Sequence, residues 1–389
     1  MSDKLKKLTG KNPKDFEPVA YSLINNNDAE LFSELVSKDD FLFDFVKQNV
    51  ASRLEKVCNA KNYLNLLNFL KFYSPSYEEF IVSTLAKYAD EDLTDKILEL
   101  FENGTEDEKT YCAKFFSYIQ DPLAIDLLKL NAYSENSSLS SNCASTLAIL
   151  GDTESYNEAL NKLNSNDDFE KLDAVKFLVS YGDKKAVANI IDTIKSSNLS
   201  ENISGELLYL VDLFELLNTN KTDGLFVLNN IINGLGEILG LSQTFDFQLY
   251  DVFDYLLNNN ITPETAVVLL NAKDKFETLT ENDEYLFDET KDVKQEIYDI
   301  KNLLNSAKLQ NIDNSINEQL TENSLFVFTA IELSSNIEKF KQLLNSKNQT
   351  LVLKALEKLK ELNSLTTENK ETALSHISDE NIKNIIQAI

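Results

Sequence analysis

Hydrophobic and polar positions along the first half of the chain repeat with a period far longer than one helix turn. Asp28, Asn59, Asp90, Asp121, Asp152 and Asp183 follow one another at intervals of 31 residues, and the apolar residues around them keep fixed offsets. Nine before each anchor stand Val19, Val50, Ile81, Cys112, Cys143 and Ala174; eight before stand Ala20, Ala51, Val82, Ala113, Ala144 and Val175. Five before come Leu23, Leu54, Leu85, Phe116, Leu147 and Leu178. Seven after come Leu35, Leu66, Ile97, Leu128, Ala159 and Ile190, and eleven after come Leu70, Phe101, Leu163 and Ile194. Steps of three and four place the first set on one stripe of a helix and the second set on a stripe of another. Each unit is predicted as a helix A, a tight turn, a helix B and a short link. The small residues nine and eight before most anchors admit a neighbouring helix closely, since helix axes pack roughly 8–10 Å apart.

The anchors suit the start of helix B, because an Asp or Asn side chain accepts from backbone N–H groups that lack a partner inside the helix. Asp121-Pro122, Asn12-Pro13, Ser74-Pro75 and Thr262-Pro263 add a proline at the first helical position, where no N–H is needed, and Pro18 fits a first turn. An all-α chain follows. A lone hairpin cannot bury its apolar stripe, so neighbours must stack on both sides.

After Ile194 the period loosens. The pattern predicts helices over 206–217 and 225–239 with a turn between, then 245–257 and 263–273. Residues 277–292 read as an acidic insertion holding Tyr285, Leu286 and Phe287, followed by a helix over 290–307 and an Asn-rich linker over 309–323. Hairpins return over 325–333, 337–344, 351–362, 368–377 and 381–389. The layout expected is regular repeats with an N-terminal cap over 1–200 and longer irregular helices over 201–275. An insertion, helix and linker over 276–323 and terminal hairpins with a cap over 324–389 complete it.

The stretch from Ser141 through Ala144, Leu147 and Gly151-Asp152, with Ala159-Leu160 beyond it, resembles HEAT repeats of the short kind found in phycobilisome lyases. Tyr181-Gly182-Asp183 with Ala186-Val187 and Gln120-Asp121-Pro122-Leu123-Ala124-Ile125 are variants of the same pattern. The match is good over about 105–195 and holds in register back to about 15; the family's usual Arg in helix A is missing, which leaves an armadillo-like relation open. The resemblance implies a right-handed α-solenoid of stacked antiparallel pairs, with the B helices lining its concave side. It implies no particular function.

Charge narrows the partners. Lys and Arg number 37 against 64 Asp and Glu, a formal charge of −27. Such a surface repels nucleic-acid phosphates and anionic membranes. It is compatible with basic proteins and equally with a role in solubility alone. No signal peptide or membrane-spanning run is read from the sequence, so the chain is expected to be cytoplasmic. Its frequent Asn, Lys and Ile point to an AT-rich, bacterial genome. Cys58, Cys112 and Cys143 read as free core thiols; the last two share an offset in adjacent repeats, about 10 Å apart, too far for a disulfide.

Candidate chemistry is sparse. The single histidine, His376, excludes a multi-His metal centre, and with it the paired His-Glu iron site of deoxyhypusine hydroxylases, which have similar repeats. HEAT-like DNA glycosylases use a basic groove, which this acidic, Trp-free chain lacks. Gly234-Leu235-Gly236-Glu237-Ile238-Leu239-Gly240 has the wrong spacing for a phosphate loop and reads as a helix break. Asn164 to Asp168 and Glu281 to Glu284 lack the spacing of a calcium loop. No enzyme, metal or cofactor is expected.

What remains is the B-helix face outside the core stripe. Offsets two, five and nine after the anchors give Asp92, Asp95, Glu99, Asp126, Glu154, Asn157, Asn161 and Asp192, a ladder of acids and amides suited to a basic or extended peptide. Tyr285 and Phe287 are second candidates as aromatic anchors. The leading expectation is a non-catalytic scaffold binding another protein on its concave B-helix surface. The alternative is an accessory subunit of a lyase-like or chaperone-like system that attaches a prosthetic group.

Overall fold

The computed structural model describes residues 16–25, 49–71 apart from 51 and 55, 75–235, 248–279 apart from 260, 293–305 and 313–389. Every regular element among the described residues is helical, and none of them is a strand. The chain divides into two compact units, Met1–Asp183 and Lys184–Ile389. Asp28, Leu35, Ala51 and Leu70 belong to sequence columns whose side chains lie outside what is described.

In the first unit α1 (Phe16–Asn25) and a 3-10 helix (Tyr63–Lys71) precede the regular pairs. The A helices are α2 (Pro75–Ala86), α4 (Glu106–Ile119), α6 (Ser137–Ile149) and α8 (Asp168–Tyr181). The B helices are α3 (Glu91–Asn103), α5 (Ile125–Asn131, entered through a 3-10 turn at Pro122–Ala124) and α7 (Thr153–Lys162). Every described member of the columns nine, eight and five before the anchors is buried, as is every described member of the columns seven and eleven after.

Three of the anchors cap as expected. Asp90 accepts from the Leu93 N–H at 2.9 Å, Asp121 from Leu123 at 3.0 Å and Asp152 from Ser155 at 3.1 Å. Asn59 accepts from the Lys61 N–H ahead of the 3-10 helix. Sixteen residues before the anchors the structure adds a second series at the same interval. Thr105, Asn136 and Asp167 cap α4, α6 and α8 from positions 31 apart, and Thr105 closes a full capping box with Glu108. The residue just before the anchor carries the turn. Gly151 and Gly182 have φ of 73° and 84°, and Gln120 adopts the same left-handed backbone at φ 52°. A side chain there strains against the following carbonyl by roughly 1–2 kcal/mol, so Gln120→Gly is expected to raise stability by about 1 kcal/mol in urea unfolding. A loss instead would mean that the Gln120 side chain does more than fill the turn.

Packing follows the small residues. Successive A helices lie against one another, α2 on α4, α4 on α6 and α6 on α8. Between α4 and α6 the approach is close enough for the buried Thr146 hydroxyl to donate to the Ala113 carbonyl at 3.0 Å. Each B helix packs closely on the A helix that follows it, α3 on α4, α5 on α6 and α7 on α8. Tyrosines two before the anchor clamp neighbouring turns. Tyr88 donates to the Cys58 carbonyl and Tyr181 to the Asp152 carbonyl, both at 3.1 Å. Each packs on a tyrosine four after the preceding anchor: Tyr63–Tyr88 centroids are 5.6 Å apart and Tyr156–Tyr181 centroids 5.0 Å apart.

The second unit starts with a 3-10 turn (Lys184–Ala186) and α9 (Val187–Ile194). The single helix expected over 206–217 is two, α10 (Ser200–Leu207) and α11 (Leu213–Thr219). Asp212 accepts from the Glu215 N–H and starts the second of them, a signal hidden inside a leucine-rich run. The turn expected over 218–223 is shorter, because Asn220 caps α12 (Lys221–Asn233) directly. Next come α13 (Leu249–Asn258), α14 (Pro263–Thr278), α15 (Val293–Leu304) and α16 (Asp313–Gln319), the last within the expected linker. The end of the chain holds α17 (Val327–Leu333), α18 (Ile337–Leu343), α19 (Gln349–Glu361), α20 (Thr367–His376) and α21 (Glu380–Ala388).

Helix α14 sits among α12, α15, α16 and α17. A buried amide chain ties three of these helices: Asn271 donates to the Asn229 and Asn233 side-chain oxygens, and Asn229 donates to the Thr329 hydroxyl at 2.8 Å. Buried polar groups satisfied in this way fix one register, since a slip would leave amides unpaired.

Candidate partner-binding surface

The B helices turn their core stripes inward, so the positions two, five and nine after each anchor fall on the opposite side. Asp92, Asp95, Glu99, Asp126, Glu154, Asn157 and Asn161 are all exposed in the first unit, and Asp192 is exposed on α9 of the second. Asp192 thus belongs to a different compact unit from the rest. Tyr285 and Phe287 lie outside the described residues.

The acids are not equivalent. Asp92 pairs with Lys96 one turn on, and Asp192 with Lys195. Glu154 meets Lys129 at 2.5 Å, and the same ammonium lies 3.4 Å from Asp152, so Lys129 bridges α5 to the start of α7. These carboxylates raise the pKa of Lys129, Glu154 most. Among the described residues Asp95, Glu99 and Asp126 have no ion pair. The surface is therefore a partly neutralised face with three uncompensated carboxylates on α3 and α5.

Two residues of this face were missed by the sequence reading. Leu123 and Leu130 occupy the offsets two and nine after Asp121, where the neighbouring repeats carry Asp92, Glu154, Glu99 and Asn161. They are 67% and 78% exposed, on the same side of α5 as Asp126. An apolar residue in a column that is otherwise polar was the available signal.

Asp90 shows how the anchors respond to pH. The Leu93 N–H, and after it the Tyr63 hydroxyl at 2.8 Å, hold its carboxyl below the ordinary value of 3.8. A depressed folded-state pKa contributes stability above the unfolded value and loses it as pH falls through the folded one. The stability margin of the wild type over Asp90→Asn is thus expected to be full near neutral pH and to shrink below about pH 4. A margin constant from pH 7 to about 3 in thermal melts would contradict this role.

Glu281 to Glu284 lie outside the described residues. Burial pushes the Cys58 thiol up to about 11 and the Cys143 thiol to about 12, with Cys112 higher still, so all three stay protonated near neutral pH. His376 is exposed at the end of α20. Among the described residues no group of His, Cys, Asp and Glu is placed to hold a metal, and no helix is long and apolar enough to cross a membrane. Gly234 closes α12, and the glycines beyond it lie outside the described residues. Within 164–168 three side chains are used in the turn: Asp167 caps α8, Ser165 donates to Glu170 and Asp168 pairs with Lys171.

Comparison with known proteins adds little. No protein-family description matches the chain, and no curated protein matches it. Among solved structures, a crystal structure of an engineered protein from a structural genomics consortium is similar at 14% identity and a TM-score of 0.25. The alignment covers 94% of this chain and all of that one.

Proposed function

We propose that the chain is a non-catalytic protein-binding scaffold whose contact surface is the B-helix face of the first unit. In this reading the 31-residue units form a right-handed stack of HEAT-like hairpins. What supports it is the division of labour within each repeat. The described column residues are spent on stacking, whereas every described candidate residue on α3, α5 and α7 is exposed.

The packing also bears on which side is open. Successive A helices touch closely, and no comparable packing joins successive B helices among the described residues. The B surface is thus the less closely packed layer of the first unit, and we propose it as the contact surface.

The test is affinity capture from the source cells with the intact chain and with a variant reversing Asp92, Asp95, Glu99 and Asp126 to Lys. Proteins held by the wild type are expected to be lost from the variant. Retention of every one of them would remove this face as the binding surface.

A further inference from the structure

We propose that α5 is the seat for an amphipathic helix of a partner protein, with leucine-sized side chains on one stripe and lysines or arginines beside it. This rests on the protein-binding reading above and names the chemistry of its partner. Leu123, Asp126 and Leu130 are spaced three and four apart, so they form one exposed stripe along the 3-10 turn and α5. Single exposed leucines are ordinary on protein surfaces. Two of them two turns apart, in columns that are polar in the flanking repeats, flank Asp126 and form a small ridge with apolar ends and one carboxylate between them.

Charge selects the occupant. Asp126 lies between the two leucines, and Asp95 and Glu99 sit on the B helix of the preceding repeat; none has an ion pair among the described residues. On the other side Glu154 is already neutralised by Lys129, and Asn157 and Asn161 are uncharged. The unsatisfied negative charge therefore lies at Asp126 between the leucines and on the α3 side of them, and the partner's cations are expected there. A second copy of this chain would bring a like-charged face onto these carboxylates, which disfavours self-association.

The probe is a labelled helix of about 15 residues of leucine, alanine and lysine with its leucines on one stripe, that length being near the minimum for a stable helix in water. Its control is an isomer of the same composition with the leucines scattered. Anisotropy titrations use the intact chain and its Leu123→Ser/Leu130→Ser variant, whose fold is checked by circular dichroism. The wild type is expected to bind the striped peptide about tenfold or more tightly than either the control peptide or the variant does. Equal binding of both peptides, an undiminished variant, or no binding to the wild type would each overturn the proposal. So would a wild-type dimer, seen by sedimentation, that the variant abolishes. Should the peptide fail while charge reversal still releases a captured protein, the scaffold reading stands and only the helix-seat inference falls.

Discussion

Replacing Phe116 by alanine is expected to cost about 3–5 kcal/mol, a large share of the roughly 5–15 kcal/mol that holds a typical domain. The ring is fully buried, stacks on Phe101 with centroids 6.3 Å apart and meets the edge of Phe115 at 5.5 Å. Phe101 belongs to the B helix before it, so truncation opens a void at a joint between repeats rather than inside one. In the proposed stack, weakening one joint lowers cooperativity, so a broadened urea transition is expected along with the lower midpoint. Phe169→Ala is the control. That ring is 71% exposed, and its removal is expected to change stability by no more than about 0.5 kcal/mol. Similar losses for the two variants would mean that the Phe116 column does not form the core of the stack.

Gly224→Ala discriminates by its sign. The residue lies inside α12, where alanine normally improves helix stability by roughly 0.5–1 kcal/mol over glycine. Here an added Cβ would stand 2.8 Å from the Leu217 nitrogen and 2.9 Å from the Leu216 carbonyl carbon. Those are backbone atoms of α11, which cannot swing aside as a flexible side chain would. The two helices must part, and the expected result is a loss of about 1–3 kcal/mol in urea unfolding. A gain would show that the two helices can separate at little cost.

The core of the first unit was legible because its information is local and repeated. Cys112, Phe116 and Leu147 each fall in a column, and a column is readable without knowing what packs on it. The second cap series, Thr105, Asn136 and Asp167, is equally periodic, but it changes residue type at every step and so shows no single recurring residue. Gln120 gave no sign of its left-handed turn, since only the glycines at 151 and 182 announce that conformation. The break at Asp212 was masked by leucines on both sides, which satisfy helix periodicity in any phase.

On the proposed binding face the acids were legible as residues left over from the core. The pairing of Glu154 was not, because Lys129 reaches it from a different helix, unlike Lys96 and Lys195, which stand one turn from Asp92 and Asp192. Leu123 and Leu130 were passed over for a related reason. A leucine is ordinarily a core residue by type, whereas the offsets of these two, two and nine after Asp121, place them outward. Gly224 lay beyond any sequence argument, because its constraint is set by the backbone of α11.

Spin-label distances in the first unit test the repeat stack most directly. Labels at Asp95, Asp126 and Asn157 share one offset on α3, α5 and α7 and are exposed, so they disturb little. A stack of identical 31-residue steps predicts similar 95–126 and 126–157 separations, each about 10 Å or somewhat more, with the 95–157 separation close to twice either one. Unequal steps, or an outer pair no farther apart than the inner ones, would contradict it.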